Sequence, residues 1–156
     1  MGRAEFPSAV FPGYPTVSVE HPDTWSPVVI PTSPLALART VAEGDFRPNV
    51  VVAFARVRGS ATLPDVCADV IAKLTGLPGY EEVGRSEERA EGFAVFRIEG
   101  SFSDPRVGTL VQAVRMVLIP RGEVSDVVQM TGTCAGSQVE AVYGEIRAIL
   151  ASAAAG

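Results

Sequence analysis

The chain has 156 residues, 47% of them hydrophobic, a formal net charge of -5 and no cluster of lysine or arginine. One soluble domain of that length buries about 70% of its unfolded surface without staples, and the acidic balance argues against nucleic acid or an anionic membrane as a partner. No stretch reaches the roughly 18 apolar residues of a membrane span, and no basic segment followed by an apolar run opens the chain, so as written it reads as cytoplasmic.

Residues 1–34 hold seven of the twelve prolines. Proline fixes φ and lacks a donor, so this segment is expected to wrap the domain in turns and short edge strands, such as Thr16 to Glu20. His21 and Trp25 lie in this wrap. The tryptophan reads as a core plug or as the wall of a binding cleft, the histidine as solvated or as part of the same cleft. Leu35 to Val41 follows as a strand, Glu43-Gly44-Asp45 as a turn, and Val50 to Val57 as a strand apolar on both faces, hence central.

Thr62-Leu63-Pro64-Asp65 carries a capping residue, an early proline and an acid, which predicts a helix start. Val66, Cys67, Val70, Ile71 and Leu74 make its apolar stripe, and Gly76 with Pro78 ends it. The charge run Arg85 to Glu91, between Gly84 and Gly92, is expected to be an exposed edge strand or hairpin arm.

Phe93 to Thr133 alternates through three strands with turns at Ser103 to Arg106 and Pro120 to Glu123. A register that sets Phe102 beside Leu110 also sets Ile98 beside Val114 and Phe96 beside Met116, matching a whole apolar face. The other face then gathers Arg97, Glu99, Arg115 and, from the third strand, Asp126. Arg97 would stand directly opposite Arg115, so a slip of two residues that puts Glu99 there instead is the expected arrangement. The cluster reads as a solvated salt-bridge ladder or as a polar patch lining a cleft.

Ser137 to Glu140 has the form of a capping box, and Val139, Val142, Tyr143, Ile146, Ile149 and Leu150 follow at helical spacing. Burying six such side chains contributes very roughly 9 to 18 kcal/mol before entropy is counted, so this helix must dock. The alanine-rich last five residues are expected to fray.

Two cysteines, Cys67 and Cys134, are too few and too far apart for a disulfide framework or a zinc site. Gly132-Thr133-Cys134-Ala135-Gly136 matches a nucleophile elbow with cysteine in place of serine. A thiol mechanism would need His21, the only histidine, as base. No phosphate loop, metal-hydrolase helix or paired cysteine motif occurs, so no cofactor and no metal is expected.

Asp45-Phe46-Arg47-Pro48-Asn49 running into Val50, Leu77-Pro78-Gly79-Tyr80, Glu91-Gly92-Phe93-Ala94 and Glu99-Gly100-Ser101-Phe102 together resemble the LpqN/LpqT family of actinobacterial proteins. The resemblance covers nearly the whole chain. It implies one domain, 1–156, of α+β class: a mostly antiparallel sheet of about six strands packed with two main helices, PsbP-like and Mog-like. Lipoproteins of that family carry a signal ending in an acylated cysteine, whereas this chain has no cysteine before position 67, so it reads as a cytoplasmic relative or a trimmed mature domain. The resemblance implies a noncatalytic binding module, and the leading reading of the residues is that it binds a protein partner or a small apolar ligand, on the charged sheet face or near Trp25. Its rivals are a thiol-dependent hydrolase using Cys134 and a homo-oligomer built on the sheet edge.

Overall fold

A computed structural model describes residues 1–156. Nine strands and two α-helices follow one another along the chain as β1 (Val17–Ser18), β2 (Trp25–Pro27), β3 (Leu35–Arg39), β4 (Asn49–Arg58), α1 (Leu63–Thr75), β5 (Glu81–Ala90), β6 (Phe93–Asp104), β7 (Gly108–Pro120), β8 (Val124–Ala135), α2 (Gly144–Ala151) and β9 (Ala154–Ala155). Seven of them form one antiparallel sheet in the order β2-β3-β4-β8-β7-β6-β5. The fold is therefore α+β, with one strand more in the sheet than the about six that the resemblance implies, because the three residues of β2 pair with β3.

Alternation divides the sheet into two dry faces. On one, Phe96, Ile98, Val114, Met116, Leu118 and Val127 pack against Leu63, Cys67, Val70 and Leu74 of α1. On the other, Val50, Val52, Val95, Ala113, Val117, Val128 and Met130 pack under Ile146, Ile149 and Leu150 of α2, with Trp25 from the wrap. The start of α1 follows from its sequence: the Thr62 hydroxyl accepts the Asp65 N–H and the Asp65 carboxylate accepts the Thr62 N–H at 2.8 Å, a complete capping box.

The hairpin of β6 and β7 sets Phe102 opposite Leu110, Ile98 opposite Val114 and Phe96 opposite Met116, as the apolar matching requires. The same register puts Arg97 directly opposite Arg115, so the two-residue slip does not occur. The turn decides this. Asp104 pairs with Gly108, which adopts a φ of 92°, and the Asp104 carboxylate accepts the N–H groups of Arg106 and Val107 at 2.8 and 3.0 Å. A turn so satisfied fixes the register, and one repulsive pair worth at most about 1 kcal/mol does not shift it.

Three other expectations change. The last residues do not fray: Ala154 and Ala155 pair with Ser18 and Val17 in a two-stranded sheet, and Gly156 exchanges backbone hydrogen bonds with Thr16. The expected box at Ser137 to Glu140 is replaced by a 3-10 turn, Gly136–Gln138, in which the Gln138 side chain accepts the Ala135 N–H at 2.9 Å and donates to the Phe46 carbonyl at 2.7 Å. A π turn, Val139–Tyr143, then leads into α2. Finally, β4 is interior to the sheet but dry on only one side, since Ala53 and Ala55 are exposed where α1 does not reach.

Candidate functional site

Strand alternation places Arg97, Glu99, Arg115 and Asp126 on the α2 face of the sheet, as expected, but in two separate clusters. Asp126 lies opposite Ile119 on β7 and Arg56 on β4, four residues along β8 from Met130, which is Arg115's partner. Asp126 is fully buried. Its two oxygens accept Arg56 Nε at 2.6 Å, Arg56 Nη2 at 3.0 Å and Arg121 Nε at 3.2 Å. Arg56 also donates to the Pro12 and Gly13 carbonyls and stacks on the Tyr14 ring, 4.6 Å from its centroid, while that ring stacks on Phe54. This cluster ties the proline-rich segment to the sheet.

The second cluster frames an open cleft of about 400 Å³ between β5, β6 and α2, lined by Gly84, Arg85, Ser86, Arg97, Glu99 and Arg147. Arg147 forks onto Glu99 with two bonds of 2.8 Å and lies 4.8 Å from the Tyr143 ring centroid. The Arg147 guanidinium holds the Glu99 carboxyl below its usual range, against the opposing effect of partial burial. Burial, with the nearby Glu99 charge, pushes the Tyr143 hydroxyl up, and that buried hydroxyl has no hydrogen-bond partner. Arg97 makes no ion pair or hydrogen bond. Arg115, only 5% exposed, makes none either, and burial lowers its pKa.

The other candidates fall elsewhere. Trp25 is 1% exposed and donates its indole N–H to Glu145 of α2 at 2.8 Å, on a carboxylate oxygen that also accepts Arg39 Nε at 2.8 Å. It is a core residue, so no cleft opens at it. His21 is exposed, its ring bonded to the Pro22 carbonyl at 2.9 Å. Cys134 is fully buried near the end of β8, opposite Val111, and burial pushes its thiol up to about 11. A nucleophilic thiol needs access and a depressed pKa, and Cys134 has neither. The flanking glycines have a packing cause: a Cβ at Gly132 would lie 2.3 Å from Ile146 Cγ2, and one at Gly136 would lie 3.2 Å from Thr109. Cys67 is likewise buried within α1's stripe and pushed up to about 11. No three His, Cys, Asp or Glu side chains converge as a metal site would require.

On the opposite face, α1 lies over β6 and β7 and leaves the β4–β8 half of the sheet uncovered. A groove of about 170 Å³ runs there, walled by Ala53, Ala55, Val57 and Val127 of the sheet and by Val66 and Val70 of the helix, with Gln129 on its sheet floor between Ala53 and Met116 and the exposed Asp69 and Lys73 at its rim. A second hollow continues it past Leu74 and Leu77 to Gln112 and Thr131. The sequence pointed to neither groove, although alanine at two alternate positions of an otherwise bulky strand was a signal that no helix had to be filled there. Arg147, Ser86 and Arg85 were also missed at the charged cleft. The spacing of Tyr143 and Arg147, one helical turn apart, was the available clue.

A family model described as "Probable lipoprotein LpqN" matches residues 8–154. Comparison with curated proteins gives no match. The crystal structure of LpqN from Mycobacterium tuberculosis is similar over 92% of this chain and 85% of that one, with a TM-score of 0.77 and 21% identity. Cyanobacterial PsbP from Synechocystis aligns over 100% and 99% of the two chains at TM-score 0.61 and 12% identity. The Ran-binding protein Mog1p of Saccharomyces cerevisiae aligns over 88% and 89% at TM-score 0.55 and 13% identity. At these identities the likeness extends to the fold, PsbP-like and Mog-like, and not beyond it.

Proposed function

The chain belongs to the LpqN family, Lpp-LpqN, and on that premise we propose that it is a noncatalytic binding module of the cell envelope. It takes a small apolar ligand, or an apolar segment of a protein partner, in the groove between α1 and the β4–β8 half of the sheet. The observation that carries this reading is the groove itself: apolar side chains of β4 and α1 facing each other across open space, with charged residues only at the rim. Two relatives lend it support. LpqN of M. tuberculosis is described as involved in cell envelope biogenesis, and Mog1p, on the same fold, as a Ran-binding protein. No helix here is long and apolar enough to cross a membrane.

The uncharged fluorophore N-phenyl-1-naphthylamine tests the ligand arm, and a photo-crosslinking side chain at position 55 tests the partner arm in the producing cell. Saturable fluorescence that Ala55→Glu weakens at least fivefold, or a crosslinked species formed at 55 and not at exposed Ala148 behind the sheet, supports the proposal. Silence in both, with Ala55→Glu folded as judged by circular dichroism, overturns it.

A further inference from the structure

The cleft between β5, β6 and α2 has no hydrophobic residue in its wall, which sets it apart from the α1 groove on the other face of the sheet. Three arginines reach it. Arg85 is bound to Glu82 and Arg147 to Glu99, so those two carry their own counterions. Arg97 does not. It is half-buried in the cleft wall, without an ion pair or a hydrogen bond, and directly behind it stands Arg115, nine-tenths buried and equally unpartnered. Cross-strand neighbours stand about 5 Å apart at their Cβ atoms, and the Arg97 charge acts against that of buried Arg115. Glu88 and Glu91 offset part of the charge on Arg115, but neither forms an ion pair with it.

We propose that this cleft binds a phosphate-type oxyanion, gripped by the Arg97 guanidinium and drawn in by the Arg115 charge behind it, with the Ser86 hydroxyl as a third donor. Two facing cations call for a ligand of more than one negative charge, which a phosphate monoester supplies and a single carboxylate does not. Guanidinium donors are arranged as a fork that matches the oxygens of such an anion. The edge strand helps: a bulge between Glu82 and Gly84 interrupts its pairing with β6, and Gly84 lines the cleft with no side chain to close it. About 400 Å³ is more room than a bare phosphate fills, so the group arrives attached to a larger polar body, either a soluble phosphorylated molecule or the headgroup of an anionic lipid. The proposal does not depend on the α1 groove, and either can fail alone.

Calorimetric titration with inorganic phosphate at low salt tests it. Saturable binding is expected, at least tenfold weaker in Arg97→Gln and in Arg115→Met, and unchanged in Arg58→Gln, which removes an exposed arginine elsewhere. Melting curves establish that each variant is folded; Arg97 is only half-buried, so its replacement leaves the core intact. Absence of saturable phosphate binding to the unaltered protein, or equal loss in Arg58→Gln, overturns the proposal. Glycerol phosphate and sedimentation with vesicles containing phosphatidic acid, whose headgroup is itself a phosphate monoester, separate the two sources. Arg97-dependent binding of the soluble ester alone identifies a small molecule, and Arg97-dependent capture by vesicles identifies a headgroup. Capture that ignores Arg97 counts against the site.

Discussion

Asp126 and Arg115 are both charged, both buried on the α2 face of the same sheet, and provided for in opposite ways. Asp126 receives three donors from two arginines, one of which also holds the backbone of the N-terminal segment. Arg115 receives nothing, and its neighbour across the hairpin is another arginine. Burying a charge is expensive unless it is paired and hydrogen-bonded. The difference therefore separates a charge kept for the fold from one the fold tolerates at a cost, and the second kind is where binding chemistry is found.

The largest effect that bears on this contrast is expected at Asp126. Asp126→Asn removes the negative charge and replaces one of the two acceptor oxygens facing Arg56 and Arg121 with an amide donor, and loss of the charge from a buried pair costs about 3 to 5 kcal/mol. Both arginine side chains are about a quarter exposed and recover some hydration, which places the expected loss near the low end. Urea unfolding should show a lower midpoint at unchanged slope. A change below about 1 kcal/mol would mean that Asp126 is no more structural than a surface acid, and the contrast would collapse.

Arg115→Met is expected to act in the other direction. Methionine keeps the volume of the aliphatic stem while removing an unpaired buried cation that faces Arg97. Stability should stay level or rise by about 1 kcal/mol, as it does when buried charges give way to packed apolar groups. A loss of more than about 2 kcal/mol would show that Arg115 has a compensating partner within the protein, and would remove the ground for treating it as poised for a ligand.

How far the sequence disclosed these two residues differs as well. The face they share was legible, because period 2 fixes which side of a strand a residue occupies and the apolar matches at Phe96, Ile98 and Phe102 fix the hairpin. The helix α1 was legible from its capping residues and stripe. What could not be read was which long-range neighbours complete each charge. Asp126 finds Arg56 through the pairing of β4 with β8, seventy residues apart, and Glu99 finds Arg147 on a helix docked from the end of the chain. Trp25 was legible as a core plug, but its partner Glu145, 120 residues away, was not. The paired C-terminus escaped for a similar reason: Ala154 and Ala155 have no pattern of their own and become a strand only because Val17 and Ser18 lie alongside.

The smallest expected effect concerns Glu99 and Arg147, a third arrangement between the two extremes. Arg147's side chain is half exposed, so solvent screens the pair and Arg147→Gln should cost no more than about 1 kcal/mol at pH 7. The sign with pH follows from Glu99. Its folded pKa is held below the unfolded value of about 4.3, so the contribution is complete above that value and fades as pH falls through the folded pKa. Urea denaturation of both proteins at pH 7 and pH 3 should show the difference shrinking toward zero in acid. Arg147 has a second contact, the Tyr143 ring 4.8 Å away, which does not titrate in that range. A difference that persists at pH 3 would assign Arg147's contribution to that stacking. Glu99 would then owe Arg147 little, and the cleft wall beside Arg97 would hold a carboxylate free to compete with an incoming anion.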